Sequence, residues 1–288
     1  MNIAKYLESR KTIIDRALDK YIPPKSTYPP EIHRAMRYSL FPGGKRFRAI
    51  LVIVSSEAVG GKTQKVLPSA CAMELIHTYS LIHDDLPAID NDDYRRGKLS
   101  THRKFGEAAA ILTGDALLSQ AFLLITQNAE KPGISDGTVV RVMRETAEAI
   151  GSSGMVGGQI VDIRRKRRYT RKEIEYIHTR KTGALIRSSV RIGAILAGAK
   201  PAELQKLTGY GENIGLAFQI ADDILDVDSK NDEPNYVSVF GAEASREKVR
   251  ELVCEAKKKV QVFGKKESAI LNFVADSLNP EYSSSTRP

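Results

Sequence analysis

His77-Thr78-Tyr79-Ser80-Leu81-Ile82-His83-Asp84-Asp85-Leu86-Pro87-Ala88-Ile89-Asp90 is the stretch on which the reading of this chain turns. Its first half is an apolar helical run with His77, Ser80 and Asp84 on one face, since positions three, four and seven apart align on a helix. Pro87 removes an N–H and disfavours helical geometry at Leu86, so the helix is expected to end near Asp85. Asp90 can then fold back from a turn. A second acidic group, Phe218-Gln219-Ile220-Ala221-Asp222-Asp223-Ile224-Leu225-Asp226, sits at the end of another apolar helical run. There Asp222 and Asp226 share a face, and Gln219, Asp223 and Asp226 form a broad stripe. Crowded carboxylates repel one another and are costly to remove from water. With apolar rather than polar flanks, they point to a divalent cation on a cavity wall. All-oxygen ligation suits Mg²⁺, which bridges protein carboxylates to substrate phosphates.

Outward from these groups the pattern is helical nearly throughout. Ile3, Ala4, Tyr6, Leu7, Ile13, Ile14, Ala17 and Leu18 mark an opening amphipathic helix, broken by Pro23-Pro24 and Pro29-Pro30. Helices are expected at 31–40, at 49–59, and from Pro68, placed at the first turn, to Asp84. Others are expected at 106–128, 137–150, 172–198, 201–227 and 243–262. Strand-like alternation is scarce and no Asn-Gly or Asp-Gly hairpin signal stands out. One all-α domain over 1–288, with a loose tail from about residue 280, is the expected architecture.

The chain has 288 residues, 42% of them hydrophobic and 27% charged, as in a soluble globular protein. Its two cysteines make a disulfide framework unlikely and fit a reducing compartment. No signal-peptide pattern opens the chain and no apolar run reads as a membrane span, so a cytoplasmic protein is expected. The net charge of +9 calls for anionic partners. The run Arg164-Arg165-Lys166-Arg167-Arg168 lacks any accompanying nucleic-acid motif, and small polyanions account for the charge equally well.

Three blocks read as anion binders. Gly43-Gly44-Lys45-Arg46-Phe47-Arg48 feeds basic residues into a helix N-terminus, where N–H groups and the helix dipole favour phosphate. Arg95-Arg96-Gly97 offers forked donors beside the first acidic group. Lys181-Thr182-Gly183 lies within an amphipathic helix and reads the same way.

Taken in order, these blocks resemble the trans-prenyl diphosphate synthases, the farnesyl and geranylgeranyl diphosphate synthase family. The resemblance also includes Gly114-Asp115-Ala116-Leu117-Leu118 and Gly157-Gly158-Gln159 with Asp162, and it spans most of the chain. It implies an isoprenoid-synthase-type helical bundle around a deep central cavity, in a homodimer. It implies that Asp84, Asp85, Asp90, Asp222 and Asp226, supported by Asp223, hold Mg²⁺, about three ions per site when substrate is bound. Lys45, Arg48, His77 and Arg96 are then expected to bind isopentenyl diphosphate. Arg95, Lys181, Thr182 and Gln219 are expected to bind the allylic diphosphate. The implied reaction is ionisation, condensation and elimination, with Asp84, Asp85, Asp90, Arg95, Lys181 and Asp222 as the catalytic set.

Product length is expected to follow from Tyr79, five positions before the first aspartate in the family pattern. A bulky ring there resembles the bacterial farnesyl type and a C15 product. Ideal geometry puts Ser80, not Tyr79, on the Asp84 face, so Ser80 stands beside it as a second length-determining position. After Val227 the chain departs from the family: the loop is shorter and Glu233 stands where a lysine is expected, with Lys230 as a possible substitute. That departure motivates an alternative, a non-catalytic prenyl-diphosphate-binding subunit. A C20 synthase is another. A terpene cyclase fits less well, because cyclases generally lack the second aspartate group and the Gly-Gly-Lys block. A nucleic-acid binder is the weakest reading.

Overall fold

The structure, a computed structural model, describes residues 3–164, 169–225 and 235–279. It divides into two compact units, Met1–Ile50 with Gln64–Val139, and Leu51–Thr63 with Val140–Pro288. In the first unit α1 (Ile3–Tyr21) buries Tyr6, Leu7, Ile14, Ala17 and Leu18, the apolar stripe of an amphipathic helix. After it come α2 (Pro30–Leu40), the start of α3 (Phe47–Ala58), α4 (Thr63–Asp84), α5 (Thr101–Phe105) and α6 (Glu107–Thr126). A 3₁₀ turn, Gln127–Glu130, extends α6. The second unit carries the greater part of α7 (Asp136–Ile150), α8 (Met155–Asp162), α9 (Arg171–Ile177), α10 (Ala184–Leu196) and α11 (Pro201–Leu225). It closes with α12 (Tyr236–Phe240), α13 (Ala242–Val260) and α14 (Lys265–Asp276). The all-α expectation holds.

Four expectations need correction. Helix α4 begins at Thr63, so Pro68 lies inside it rather than at its first turn. The proline forfeits a bond to the carbonyl of Gln64, close enough to the helix start that the ladder beyond is intact. The expected helix over 172–198 is interrupted by a π-helical turn, His178–Gly183, between α9 and α10. A hairpin exists where none was read: β1 (Tyr94–Arg95) pairs antiparallel with β2 (Lys98–Leu99). Its two turn residues, Arg96 (φ 52°) and Gly97 (φ 72°), are both left-handed, as a tight hairpin of this twist requires. Arginine stands where asparagine or aspartate is the usual signal. Finally, Glu107–Glu130 is long and apolar enough, at mean hydropathy 1.7, to cross a membrane by length and composition. Helix α6 instead packs on α2 and α5 and buries Leu117, Ala121, Leu124 and Ile125, while Ile111, Leu112 and Leu123 remain exposed.

Glycines set how closely the helices approach. A Cβ at Gly114 on α6 would fall 2.1 Å from Nε2 of His83, so the bare backbone there makes room for the imidazole, which also lies 3.1 Å from the carbonyl of Ile111. In the second unit a Cβ at Gly193 of α10 would stand 2.1 Å from the carbonyl oxygen of Val52. Backbone cannot yield as a side-chain tip can. Gly193→Ala is therefore expected to lower stability by roughly 1–3 kcal/mol, the usual cost of overpacking. Thermal unfolding of the variant measures this; an unchanged melting temperature would refute the close approach.

Candidate active site

The Gly-Gly-Lys block is built around a residue that sequence reading left without a role. Arg46 is 3% exposed and adopts φ 53°, a left-handed conformation unusual outside glycine. Its Nε donates to Asp15 (2.7 Å), its Nη2 to the carbonyl of Leu40 (3.0 Å), and its Nη1 lies 3.6 Å from buried Glu74. Glu74 also accepts from the backbone N–H of Ala49 near the start of α3 (3.3 Å). A buried guanidinium held this way fixes the loop, because removing a partner would leave an uncompensated charge. Lys45 is left exposed and Arg48 enters the first turn of α3. Arg96 joins them: its Nη1 donates to the carbonyl of Gly43 (2.8 Å), and its guanidinium would lie 3.2 Å from a Cβ at Gly44. Burial, then the charges of Arg48, Arg96, Arg46 and Arg95, hold the imidazole of His77 well below its ordinary pKa. Of the residues read as one anion site, Arg48 and Arg96 thus act on a neutral His77 among arginines.

The first acidic group ends α4 as its proline demands. The N–H of Asp90 donates back to the carbonyl of Asp84 (2.9 Å), so the turn brings the two aspartates together in space. Asp84 and Asp90 are partly exposed. Asp85 is 2% exposed and turns inward, accepting from Nε (2.9 Å) and Nη2 (2.5 Å) of Arg95, which also reaches Asp92 (2.7 Å). Burial pushes the Asp85 carboxyl up, and the bonds from Arg95 pull against it. A cavity of about 30 Å³ beside them is lined by Thr78, Asp85, Arg95 and Arg96, among others. Tyr79 is buried, with its ring edge-on to His83 at 5.7 Å. Burial and the charge of Asp84 raise its hydroxyl to about 12. The hydroxyl of Ser80 donates to the carbonyl of His77 (2.9 Å).

The second unit assembles its own polar network. Lys181 Nζ donates to Asp162 (2.6 Å), and a Cβ at Gly158 would fall 2.3 Å from the backbone nitrogen of Lys181. Gly158 therefore lets α8 lie against the π-helical turn, which explains why glycine stands before Gln159. Thr182 donates to Gln219 (2.7 Å), and Gln219 to Oδ1 of Asp223 (3.0 Å). The other oxygen of Asp223 accepts from the N–H of Tyr236 (2.7 Å) and lies 3.2 Å from His178 Nε2. At 7% exposure, Asp223 is committed to protein donors on both oxygens, a positioning arrangement rather than an open metal ligand. His178 stacks on Tyr236 with ring centroids 5.6 Å apart.

Sequence reading had named Lys181, Thr182, Gln219 and Asp223, and Asp162 as part of the family pattern, but not the partners His178 and Tyr236. Spacing carries no signal for contacts that join separate helices. Asp222 is partly exposed at the end of α11, whereas Asp226, Lys230, Glu233 and residues 165–168 of the basic run lie outside the described residues. Among the described residues no group of three or more His, Cys, Asp or Glu side chains converges tightly enough to hold a metal unaided. The donor chemistry of Asp84, Asp90 and Asp222, all carboxylate, fits Mg²⁺ that completes its shell with diphosphate and water oxygens.

Because the folded state keeps His77 neutral, an unfolded chain with an ordinary histidine takes up the proton first as pH falls. Stability supplied by the neutral imidazole is present above the ordinary histidine value of about 6.5 and is lost as pH falls below it. His77→Gln is expected to flatten that acid loss in melting experiments between about pH 8 and 5. An identical pH slope in the variant would show that His77 titrates normally.

The polyprenyl synthetase family profile matches residues 29–260. A geranylgeranyl diphosphate synthase of Cyanophora paradoxa is 43% identical over 297 residues, taking in 96% of this chain and 97% of that protein. A farnesyl diphosphate synthase of Micrococcus luteus is 43% identical over 257 residues, 84% of this chain and 86% of that one. The crystal structure of an FPP/GFPP synthase from Zymomonas mobilis matches with a TM-score of 0.88 at 34% identity, covering 95% of this chain and 97% of that one. The chain belongs to the polyprenyl synthetase family and is a prenyltransferase, a trans-prenyl diphosphate synthase.

Proposed function

We propose that this prenyltransferase condenses isopentenyl diphosphate with dimethylallyl and geranyl diphosphate and stops at farnesyl diphosphate, C15. The observation that carries the length is Tyr79, a buried ring one turn before Asp84 on α4. A rigid aromatic wall blocks a growing chain where a small side chain would admit it. A C20 product is the second reading, favoured by the name of the Cyanophora paradoxa relative.

Lys45, Arg48, Arg96 and neutral His77 bind and orient isopentenyl diphosphate. Arg95, Lys181, Thr182 and Gln219 hold the allylic diphosphate, with Arg95 and Lys181 as fixed positive charge toward the departing group. The residues that would hold Mg²⁺ are Asp84, Asp90 and Asp222, with Asp226; Asp85, expected from the sequence as a ligand but turned inward onto Arg95, and Asp223 are the support behind them. Bound magnesium supplies Lewis-acid stabilisation of diphosphate as it leaves. Asp85 and Arg95 keep one another oriented, and Asp223 keeps Gln219 in place. The allylic carbon–oxygen bond breaks, the isopentenyl double bond attacks the resulting cation, and a proton is lost to the departed diphosphate. No side-chain nucleophile takes part.

The two units together form one catalytic domain in this reading, which the family match across 29–260 supports. The exposed apolar side chains Ile111, Leu112 and Leu123 on α6 support a homodimer. Both cysteines are free, which fits a cytoplasmic setting.

The test is direct. Purified protein is incubated with Mg²⁺, labelled isopentenyl diphosphate and each allylic primer, and the dephosphorylated products are sized. A C15 alcohol is expected; a C20 product would replace the first reading by the second. Asp84→Ala or Asp222→Ala is expected to reduce turnover by at least about a hundredfold while circular dichroism stays native. Near-normal turnover in either would remove that carboxylate from the metal set. Tyr79→Ala is expected to lengthen the product, and an unaltered distribution would strip the ring of that role.

A further inference from the structure

The first unit holds a second, larger cavity of about 390 Å³ whose cationic side chains belong to none of the substrate or metal residues assigned above. Lys25, Arg34, Arg37 and Lys98 line it, over walls formed by Tyr38, Phe41 and Phe105, and no carboxylate lines it. The walls are fixed. Arg37 is held by the Asp19 carboxylate and by the carbonyl of Ile22 (3.0 Å), with its guanidinium 4.8 Å from the Phe41 ring. The hydroxyl of Tyr38 donates to the carbonyl of Leu99 (2.9 Å), and its ring meets Phe105 edge-on at 5.2 Å. Lys98 Nζ lies 5.9 Å from the Tyr38 ring. Lys25 and Arg34 are exposed, and neither they nor Lys98 has an ion-pair partner among the described residues.

Three cations without an ion-pair partner among the described residues, gathered with a fourth around an aromatic concavity, form a basic mouth whose charge an anion would neutralise. A purely solvated basic patch has no need of an aromatic lining. We propose that this cavity binds an organic phosphate, its phosphoryl oxygens taken by Lys25, Arg34 and Lys98 and its apolar or planar part resting on Tyr38, Phe41 and Phe105. The site is separate from both diphosphate sites of the reaction. It shares Tyr38, Pro42 and Lys98 with the small cavity that Asp85, Arg95 and Arg96 line, so an occupant would bear on one wall of the catalytic region. A prenyl diphosphate and a nucleotide satisfy the same chemistry, and the experiment separates them.

The test is equilibrium dialysis of the full chain, with chelator present, against labelled inorganic pyrophosphate, ATP and geranyl diphosphate. Lys25→Glu/Arg34→Glu is expected to lose at least about tenfold in affinity at one class of site, the scale of a lost charge-assisted contact. The exposed positions make a folding defect improbable, and Lys25→Ala/Arg34→Ala provides a neutral check with a loss in the same direction. Lys45→Ala/Arg96→Ala should leave that class intact. Phe41→Ser should weaken ATP or geranyl diphosphate and spare pyrophosphate; whichever organic probe loses affinity identifies the apolar part. Unchanged binding of all three probes in both Lys25/Arg34 variants would overturn the proposal, as would complete loss of binding in Lys45→Ala/Arg96→Ala. So would organic probes that bind no better than pyrophosphate, since the aromatic lining would then contribute nothing. A protein that failed to condense any diphosphate yet kept this binding would refute the proposed reaction and leave this site standing.

Discussion

A carboxylate shut away from water must be paired, and the bond between Asp85 and Arg95 shows how this protein meets that requirement where its charges crowd. The same solution recurs wherever a polar motif meets a packed helix. Arg46 lies between Asp15 and Glu74, Lys181 against Asp162, and Asp223 between Gln219, His178 and the N–H of Tyr236. Each pairing fixes a side chain in one geometry before any substrate arrives. Groups oriented in advance need no reorganisation as charge develops on a departing diphosphate, which is the physical basis of electrostatic catalysis. The motifs are thus divided internally, with some members exposed and others turned inward into the packed protein.

That division is clearest in the block from Gly43 to Arg48. Lys45 is exposed, whereas Arg46 next to it is buried with a left-handed backbone. The two cations have opposite duties because the glycines before them and the helix after them reverse the direction of successive side chains. The second acidic group repeats the pattern at Asp222 and Asp223, one partly exposed and the other tied into the protein. Backbone approaches supply the remaining precision. Gly158 brings α8 onto the π-helical turn at Lys181, and Gly114 makes room for the His83 imidazole.

The helical plan was legible from periodicity, because an apolar stripe with a period near 3.6 survives in any context. The ends of the elements were less legible. Pro68 was read as a helix start because an isolated proline most often marks one, but tertiary packing carried α4 back to Thr63. The hairpin at 94–99 escaped notice because Arg96 accepts a left-handed conformation that its composition does not advertise, held there by its bond to Gly43. The apolar length of α6 carries Asp115 in its middle, a single charge that leaves the mean hydropathy at 1.7.

By itself the order of residues determined that the chain is helical, that acidic and basic motifs are grouped at helix ends, and that their charges suit a divalent cation and small anions. These are properties of spacing and residue type, which a linear text contains. The structure alone decided which member of each motif is exposed and which is locked inside. It made Asp85 a partner of Arg95, made Asp223 the centre of a network with His178 and Tyr236, and gathered Lys25, Arg34, Arg37 and Lys98 from distant positions around one cavity. Such choices depend on which helix face meets which neighbour. Burial and Coulomb energy act across space, and a sequence records only distance along the chain.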